Sequence, residues 1–182
     1  MLPTNSACLR LPGTDGKAKM SKSLGNCIYL SDSAADVKKK VMSMYTDPDH
    51  LKITDPGKVE GNCVFTYLDA FSRPEHFAKY LPEYENLDAL KEHYRRGGLG
   101  DVKCKKLLIA VLEELLEPIR ERRKYYEQHI EEVYDILRRG SEEARAAAAE
   151  TLSDVRRAMR INYFEDRELI ERQAAEFRAK NQ

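Results

Sequence analysis

Apolar positions recur at steps of three, four and seven through most of the chain, while glycines fall at 13, 16, 25, 57, 61, 97, 98, 100 and 140, between the periodic stretches. That pattern predicts helices joined by short turns. Ser33-Ala34-Ala35-Asp36 reads as an acidic capping box opening a helix that runs to about Tyr45, where Thr46-Asp47-Pro48 stops it. Asp55-Pro56-Gly57 is a turn signal inside an irregular stretch from Leu51 to Gly61. Asn62 then caps a helix with Val64, Phe65, Leu68 and Phe71 on one face, and Pro74 starts a short helix through Phe77, Tyr80 and Leu81. The aromatic residues here read as core rather than as a ligand site. Asn86 or Asp88 opens the next helix, and Gly97-Gly98 supplies the positive-φ stop after Arg96.

Asp101 begins the longest predicted element. Leu108, Val111, Leu112, Leu115, Ile119, Tyr126, Ile130, Val133, Tyr134 and Leu137 form one continuous apolar stripe along it. Pro118 sits inside that stripe and predicts a kink or break, which costs about 3 kcal/mol in an isolated helix. Gly140-Ser141-Glu142-Glu143-Ala144 is expected to end this element and start another, whose inner face is Ala144, Ala148, Leu152, Val155 and Met159; the small residues there imply close helix approach. A last amphipathic helix carries Leu169, Ile170, Ala174 and Phe177. Cys27-Ile28-Tyr29-Leu30 is a short apolar run, either a strand remnant or an extended link.

With 182 residues the chain suffices for one domain, or for a small domain plus the edge of another. Its 31 Lys and Arg balance its 31 Asp and Glu, so no global field draws it to nucleic acid and any RNA contact must come from local patches. Arg120, Arg122, Arg123 and Lys124 make one cluster, Arg138 and Arg139 a second, and Arg156, Arg157 and Arg160 a third. Helical spacing gathers Arg120, Arg123 and Lys124, and likewise Arg156, Arg157 and Arg160, and the planar guanidinium suits both phosphate and unpaired bases. Glu117, Glu121, Glu127, Glu131 and Asp154 lie beside these arginines, so surface ion pairing is an equal alternative. Cys8, Cys27, Cys63 and Cys104 are irregularly spaced, and His50, His76, His93 and His129 stand far apart, which supports neither a metal site nor a disulfide frame. No window approaches the roughly 20 apolar residues of a membrane span and no leader pattern opens the sequence, so the cytoplasm is the expected compartment. Gly97 to Asp101 reads either as a hinge between helices or as a phosphate-holding helix start flanked by Arg95 and Arg96; Asp101 at the cap favours the hinge.

The stretch from Gly13 to Asn26 packs three lysines, two serines and three glycines together. Glycine lets backbone approach an anion, amide and hydroxyl groups donate to its oxygens, and lysine adds charge, which is the chemistry needed to hold polyphosphate. Within it, Lys19-Met20-Ser21-Lys22-Ser23, followed by Leu24-Gly25-Asn26, resembles the lysine-serine (KMSKS) signature of class I aminoacyl-tRNA synthetases. Arg95-Arg96-Gly97-Gly98-Leu99-Gly100-Asp101-Val102-Lys103 and Leu115-Leu116-Glu117-Pro118-Ile119-Arg120-Glu121-Arg122-Arg123 look like the helical C-terminal region of bacterial tryptophanyl-tRNA synthetases, and Leu11-Pro12-Gly13-Thr14-Asp15-Gly16 is similar to their approach to the signature loop.

The resemblance implies a loop that closes over ATP, with Lys19 and Lys22 stabilising the departing pyrophosphate and Met20, Ser21 and Ser23 completing the nucleotide site. It implies ATP with Mg²⁺, neither expected to bind tightly to this chain by itself, and tryptophan and its tRNA as the reactants of a homodimeric parent enzyme, with no role for DNA or membranes, and a helical part that meets the anticodon. Arg120, Arg123, Lys124, Arg156, Arg157 and Arg160 are then the candidates for facing RNA. The His-x-Gly-His type motif of the nucleotide-binding half is missing, so the chain reads as a C-terminal portion, beginning just ahead of the loop and inactive alone. The expected fold is mainly α: residues 1–30 form the severed edge of an α/β Rossmann-type catalytic domain, and 31–182 a helical bundle. A tyrosine enzyme and a noncatalytic RNA- or protein-binding module are the competing readings.

Overall fold

The computed structural model describes residues 10–180, so Cys8 and the first part of the expected domain edge lie outside the described residues. Among the described residues seven helices follow one another. Local cap chemistry starts most of them. Ser33 Oγ accepts from Asp36 N–H at 3.1 Å and opens α1, Ala34–Met42. Asn62 accepts from Val64 N–H at 3.0 Å ahead of α2, Cys63–Phe71, and Pro74 occupies the first turn of α3, Pro74–Tyr80. For α4, Leu87–Arg96, the cap is Asn86 rather than Asp88, accepting from Ala89 N–H at 3.0 Å. Gly97 ends that helix at φ 88°, where a Cβ would sit 2.4 Å from the Thr54 carbonyl oxygen.

Three expectations are corrected. Of the kink or break expected at Pro118, no break occurs, and the helix α5, Asp101–Glu127, continues through it. A proline removes one backbone bond, and the buried residues on either side, Leu112 and Leu116 with Arg120, hold the helix across the gap. The element instead stops at Glu127, with Gln128 and His129 outside any helix, although neither is a strong breaker. Gly140 does not separate helices either, because α6, Ile130–Ala158, passes straight through it. One helical glycine costs only about 1 kcal/mol, and strong helix formers surround this one. The last helix, α7, is Arg167–Lys180, capped by Asp166, which accepts from Leu169 N–H at 3.0 Å. Among the described residues there is no strand: Cys27–Leu30 is an extended link, and the sole β-type pairing is the bridge between Pro12 and Lys19.

The chain divides into two compact units, described residues 10–125 and 126–180. The first has a continuous core built from Val37 and Val41 of α1, Val64, Phe65 and Leu68 of α2, Phe77 of α3, Leu90 and Tyr94 of α4, and Leu107, Leu108, Val111, Leu112 and Leu116 of α5. The α5 register buries Leu116 at 3% exposure and leaves Leu115 at 44%, one residue away from the predicted stripe. Phe65 and Tyr94 meet edge to face at 4.9 Å. Two buried cations tie α5 to the chain before it. Lys105 Nζ donates to the Met42 and Met44 carbonyls, each at 2.9 Å, and burial holds its ammonium below the usual lysine range. Arg120 pairs with Glu113 and, at 2.5 Å, with Glu117, and donates to the Asp32 carbonyl at 3.3 Å.

The second unit is different in kind. Neither α6 nor α7 buries a side chain, and the expected inner face stays open, with Leu152 46%, Val155 44% and Met159 64% exposed. So small a unit cannot surround its apolar positions with its own atoms.

Two measurements check this account. Gly140→Ala is expected to stabilise the second unit by about 1 kcal/mol in urea unfolding followed by helical circular dichroism; a loss would mean that residue 140 needs a non-helical backbone. Arg120→Gln is expected to lower the stability of the first unit by about 1–2 kcal/mol, since Glu117 is half-exposed and its share is screened.

Candidate functional site

The loop from Gly13 to Asn26 is two short arms folded against each other. In the first, Gly13 N–H donates to the Ala18 carbonyl at 2.7 Å, closing a turn in which Gly16 takes φ 68°. In the second, Gly25 N–H donates to the Lys22 carbonyl at 3.2 Å, with Gly25 at φ 65°. Asn26, 4% exposed, lies between them. Its Oδ1 accepts from Ser21 N–H at 2.8 Å, and its Nδ2 donates to Asp15 Oδ1 at 3.2 Å and to the Lys19 carbonyl at 3.3 Å. Partial desolvation pushes the Asp15 carboxyl up, but hydrogen bonds from Lys17 N–H, Asn26 and Ala18 N–H outweigh it and hold it below the usual carboxylate range.

The helical core fixes the base of the loop. Tyr67 O–H donates to the Pro12 carbonyl at 2.8 Å, Cys63 Sγ donates to the Gly13 carbonyl at 3.4 Å, and Tyr45 N–H donates to the Thr14 carbonyl at 2.9 Å. Burial pushes both the Tyr67 hydroxyl and the Cys63 thiol up, so each remains a proton donor at neutral pH.

Lys17, Lys19 and Lys22 are exposed, and among the described residues none of them enters an ion pair. Arg10, Pro12, Gly16, Lys17, Ala18 and Lys19 line a depression of about 230 Å³ on the first arm. Lys19 is thus gathered with Arg10 and Lys17, whereas Lys22 stands on the second arm outside that depression. Ser21 and Ser23 hydroxyls meet at 2.9 Å. Met20 packs against the core, which makes it an anchor for the loop. Arg10 and Asn26 lie outside the sequence-predicted set. Their signal in the sequence is weak, a lone arginine ahead of the glycines and an asparagine that reads as a turn residue.

The basic clusters are dispersed. Arg120 is 9% exposed and is held by Glu113, Glu117 and the Asp32 carbonyl, so it points away from solvent while Arg123 and Lys124 are exposed. In the second unit Arg156, Arg157 and Arg160 are exposed at the end of α6, with Arg157 paired to Asp154 at 3.3 Å and Arg160 at φ 55°. A larger groove of about 590 Å³ lies in the first unit, lined among others by Lys52, Lys103 and Lys106 and by the exposed Leu51, Ile53 and Val102. The carboxylate at its edge, Asp101, is engaged by Tyr94 O–H at 2.6 Å, by Thr46 Oγ1 at 3.2 Å and by His50 Nδ1 at 3.4 Å. Gly98 N–H, donating to the Ile53 carbonyl at 2.7 Å, pins the glycine run beside it.

This arrangement has close relatives. Residues 3–117 match the family of tRNA synthetases class I (W and Y). The tryptophan–tRNA ligase of Streptococcus mutans is 59% identical over 162 residues, 89% of this chain and 46% of the relative. That of Clostridium longisporum is 60% identical over 155 residues, 85% of this chain and 43% of the relative. The crystal structure of tryptophanyl-tRNA synthetase from Campylobacter jejuni complexed with ADP and tryptophan superposes with a TM-score of 0.63 at 26% identity, covering 82% of this chain and 43% of that one. The chain spans about half the length of the curated relatives it matches. On the match over residues 3–117 and the lysine-serine loop those residues contain, the chain belongs to the class I tRNA synthetases of the tryptophan and tyrosine group.

Proposed function

We propose that this chain supplies the signature loop and the helical part of a tryptophan–tRNA ligase, with residues 1–30 as the end of the catalytic domain and 31–182 as the helical domain. The observation that carries the reading is the loop itself: exposed lysines without carboxylate partners, set beside Arg10 on a backbone that two glycines turn. Tryptophan is preferred over tyrosine because the relatives at 59 and 60% identity are tryptophan–tRNA ligases.

In that role the tryptophan carboxylate displaces pyrophosphate from the α-phosphate of ATP, and negative charge grows on the departing phosphates. Lys19 and Lys22 meet that charge, and Ser21 and Ser23 hydroxyls donate to the same oxygens. Donors held in place before the charge develops are worth roughly 3 kcal/mol each. Mg²⁺ would arrive with the phosphates, since the described residues hold no group of three acidic, histidine or cysteine side chains to bind it. The working enzyme is read as a cytoplasmic homodimer, a reading that rests on the family alone; no helix among the described residues is long and apolar enough to cross a membrane.

The helical part is assigned to the anticodon side of tRNA(Trp). The groove between the 50–53 segment and the start of α5 supports this, because lysines beside exposed apolar side chains suit a strand whose phosphates and unstacked bases must both be held. Arg123, Lys124, Arg156, Arg157 and Arg160 remain candidates at the surface, and Arg120 is set aside as an internal tie.

Binding of the chain to tRNA(Trp) and to the same tRNA with an altered anticodon, at two salt concentrations, tests the assignment. A preference for the native anticodon that persists as salt rises is expected, with Lys52→Ala and Lys106→Ala each reducing the salt slope by about 1. Equal, weak binding that collapses with salt would reduce the interaction to phosphate attraction. The chain alone is expected to give no ATP–pyrophosphate exchange, and measurable exchange would overturn its reading as part of a larger enzyme.

A further inference from the structure

Among the described residues, every hydrogen bond that crosses between the two arms of the signature loop uses Asn26: its backbone carbonyl accepts from Thr14 N–H at 2.9 Å, and its Nδ2 reaches Asp15 and the Lys19 carbonyl. The same side chain accepts from Ser21 N–H within its own arm. One carboxamide therefore touches the residue before Met20, at Lys19, and the residue after it, at Ser21. A carboxamide offers one acceptor and two N–H donors at a single position, and here both ends are engaged and buried. An aspartate has no donor to give, and an aliphatic side chain would leave the Ser21 amide without this partner.

The seat for this group is built by Gly13. A Cβ there would lie 2.2 Å from Asn26 Nδ2 and 2.6 Å from its Cγ, so the amide occupies the space that the missing side chain leaves. The Asn26 amide and the Lys17 N–H both donate to Asp15 Oδ1, each at 3.2 Å, so the same carboxamide also holds this carboxylate.

We propose that Asn26 is the positioning residue of the loop, fixing the backbone at Lys19 and Ser21 so that the lysines and hydroxyls meet phosphate already arranged. The proposal rests on the reading of the loop as a phosphate site. It concerns placement and requires no contact between Asn26 and the nucleotide.

The test uses the full chain in solution, with amide hydrogen exchange read residue by residue and inorganic pyrophosphate as the probe. Asn26→Ala is expected to speed exchange of the Ser21 amide by about ten-fold or more and to weaken pyrophosphate binding by about ten-fold, while the Leu90 and Leu108 amides in the core exchange as before. Asn26→Asp retains the acceptor for Ser21 but lacks the donors and faces Asp15 with a second charge. It is expected to keep Ser21 protected and still to lose affinity for pyrophosphate.

Gly13→Ala is the independent variant, displacing the amide without removing it. It should reproduce the Asn26→Ala result, and the double variant should add little to either. Unchanged Ser21 exchange in both Asn26→Ala and Gly13→Ala would overturn the proposal, as would wild-type affinity for pyrophosphate in those variants. If the wild-type chain does not respond to pyrophosphate at all, the phosphate reading fails, and the exchange measurements alone decide whether Asn26 fastens the loop.

Discussion

The loop depends on two side chains one helical turn apart on α2. Cys63 and Tyr67 donate to the carbonyls of Gly13 and Pro12, while Val64, Phe65 and Leu68 of the same helix are sunk in the core. One face of α2 thus belongs to the loop and the other to the helical bundle. Because burial keeps both donors protonated, this attachment does not loosen over the physiological pH range. The glycine-rich arms turn at Gly16 and Gly25, and their root is fixed to the buried core of the first unit.

Local chemistry explains which parts of the fold could be read from the residues. Ser33, Asn62, Asn86 and Gly97 act within three residues of themselves, so their pattern alone places the helix ends. Pro118 and Gly140 do not end their helices, for the opposite reason. Their costs are real but small beside the packing or propensity of the helices that contain them, and the true break at 128–129 carries no breaker. Helical spacing from Leu108 places Leu115 inward, but a cavity lined by Phe71, Ser72, Arg73, Val111 and Leu115 lies there, so Leu115 stays 44% exposed while Leu116 is buried.

The site divides in the same way. The gathering of lysines and serines is legible because the loop that presents them is one contiguous stretch of sequence. Arg120 is illegible, since its carbonyl partner at Asp32 lies 88 positions away, and charge in a sequence does not say which way it faces. Arg10 and Asn26 join the site through the fold of the arms. The same holds for Asp101, which reads as a helix cap but serves as the acceptor for Tyr94, Thr46 and His50.

Placing an asparagine at the centre of the loop also makes the arms depend on an amide that can be hydrolysed. Amides of this kind are among the most heat-labile side chains. Hydrolysis of the Asn26 amide, with loss of ammonia, would turn two donors into a carboxylate opposite Asp15. A molecule aged in that way would keep its helices and its lysines and lose the register between the arms. The chemistry of one amide therefore bears on how long the arms keep their register, alongside the packed core that holds their root.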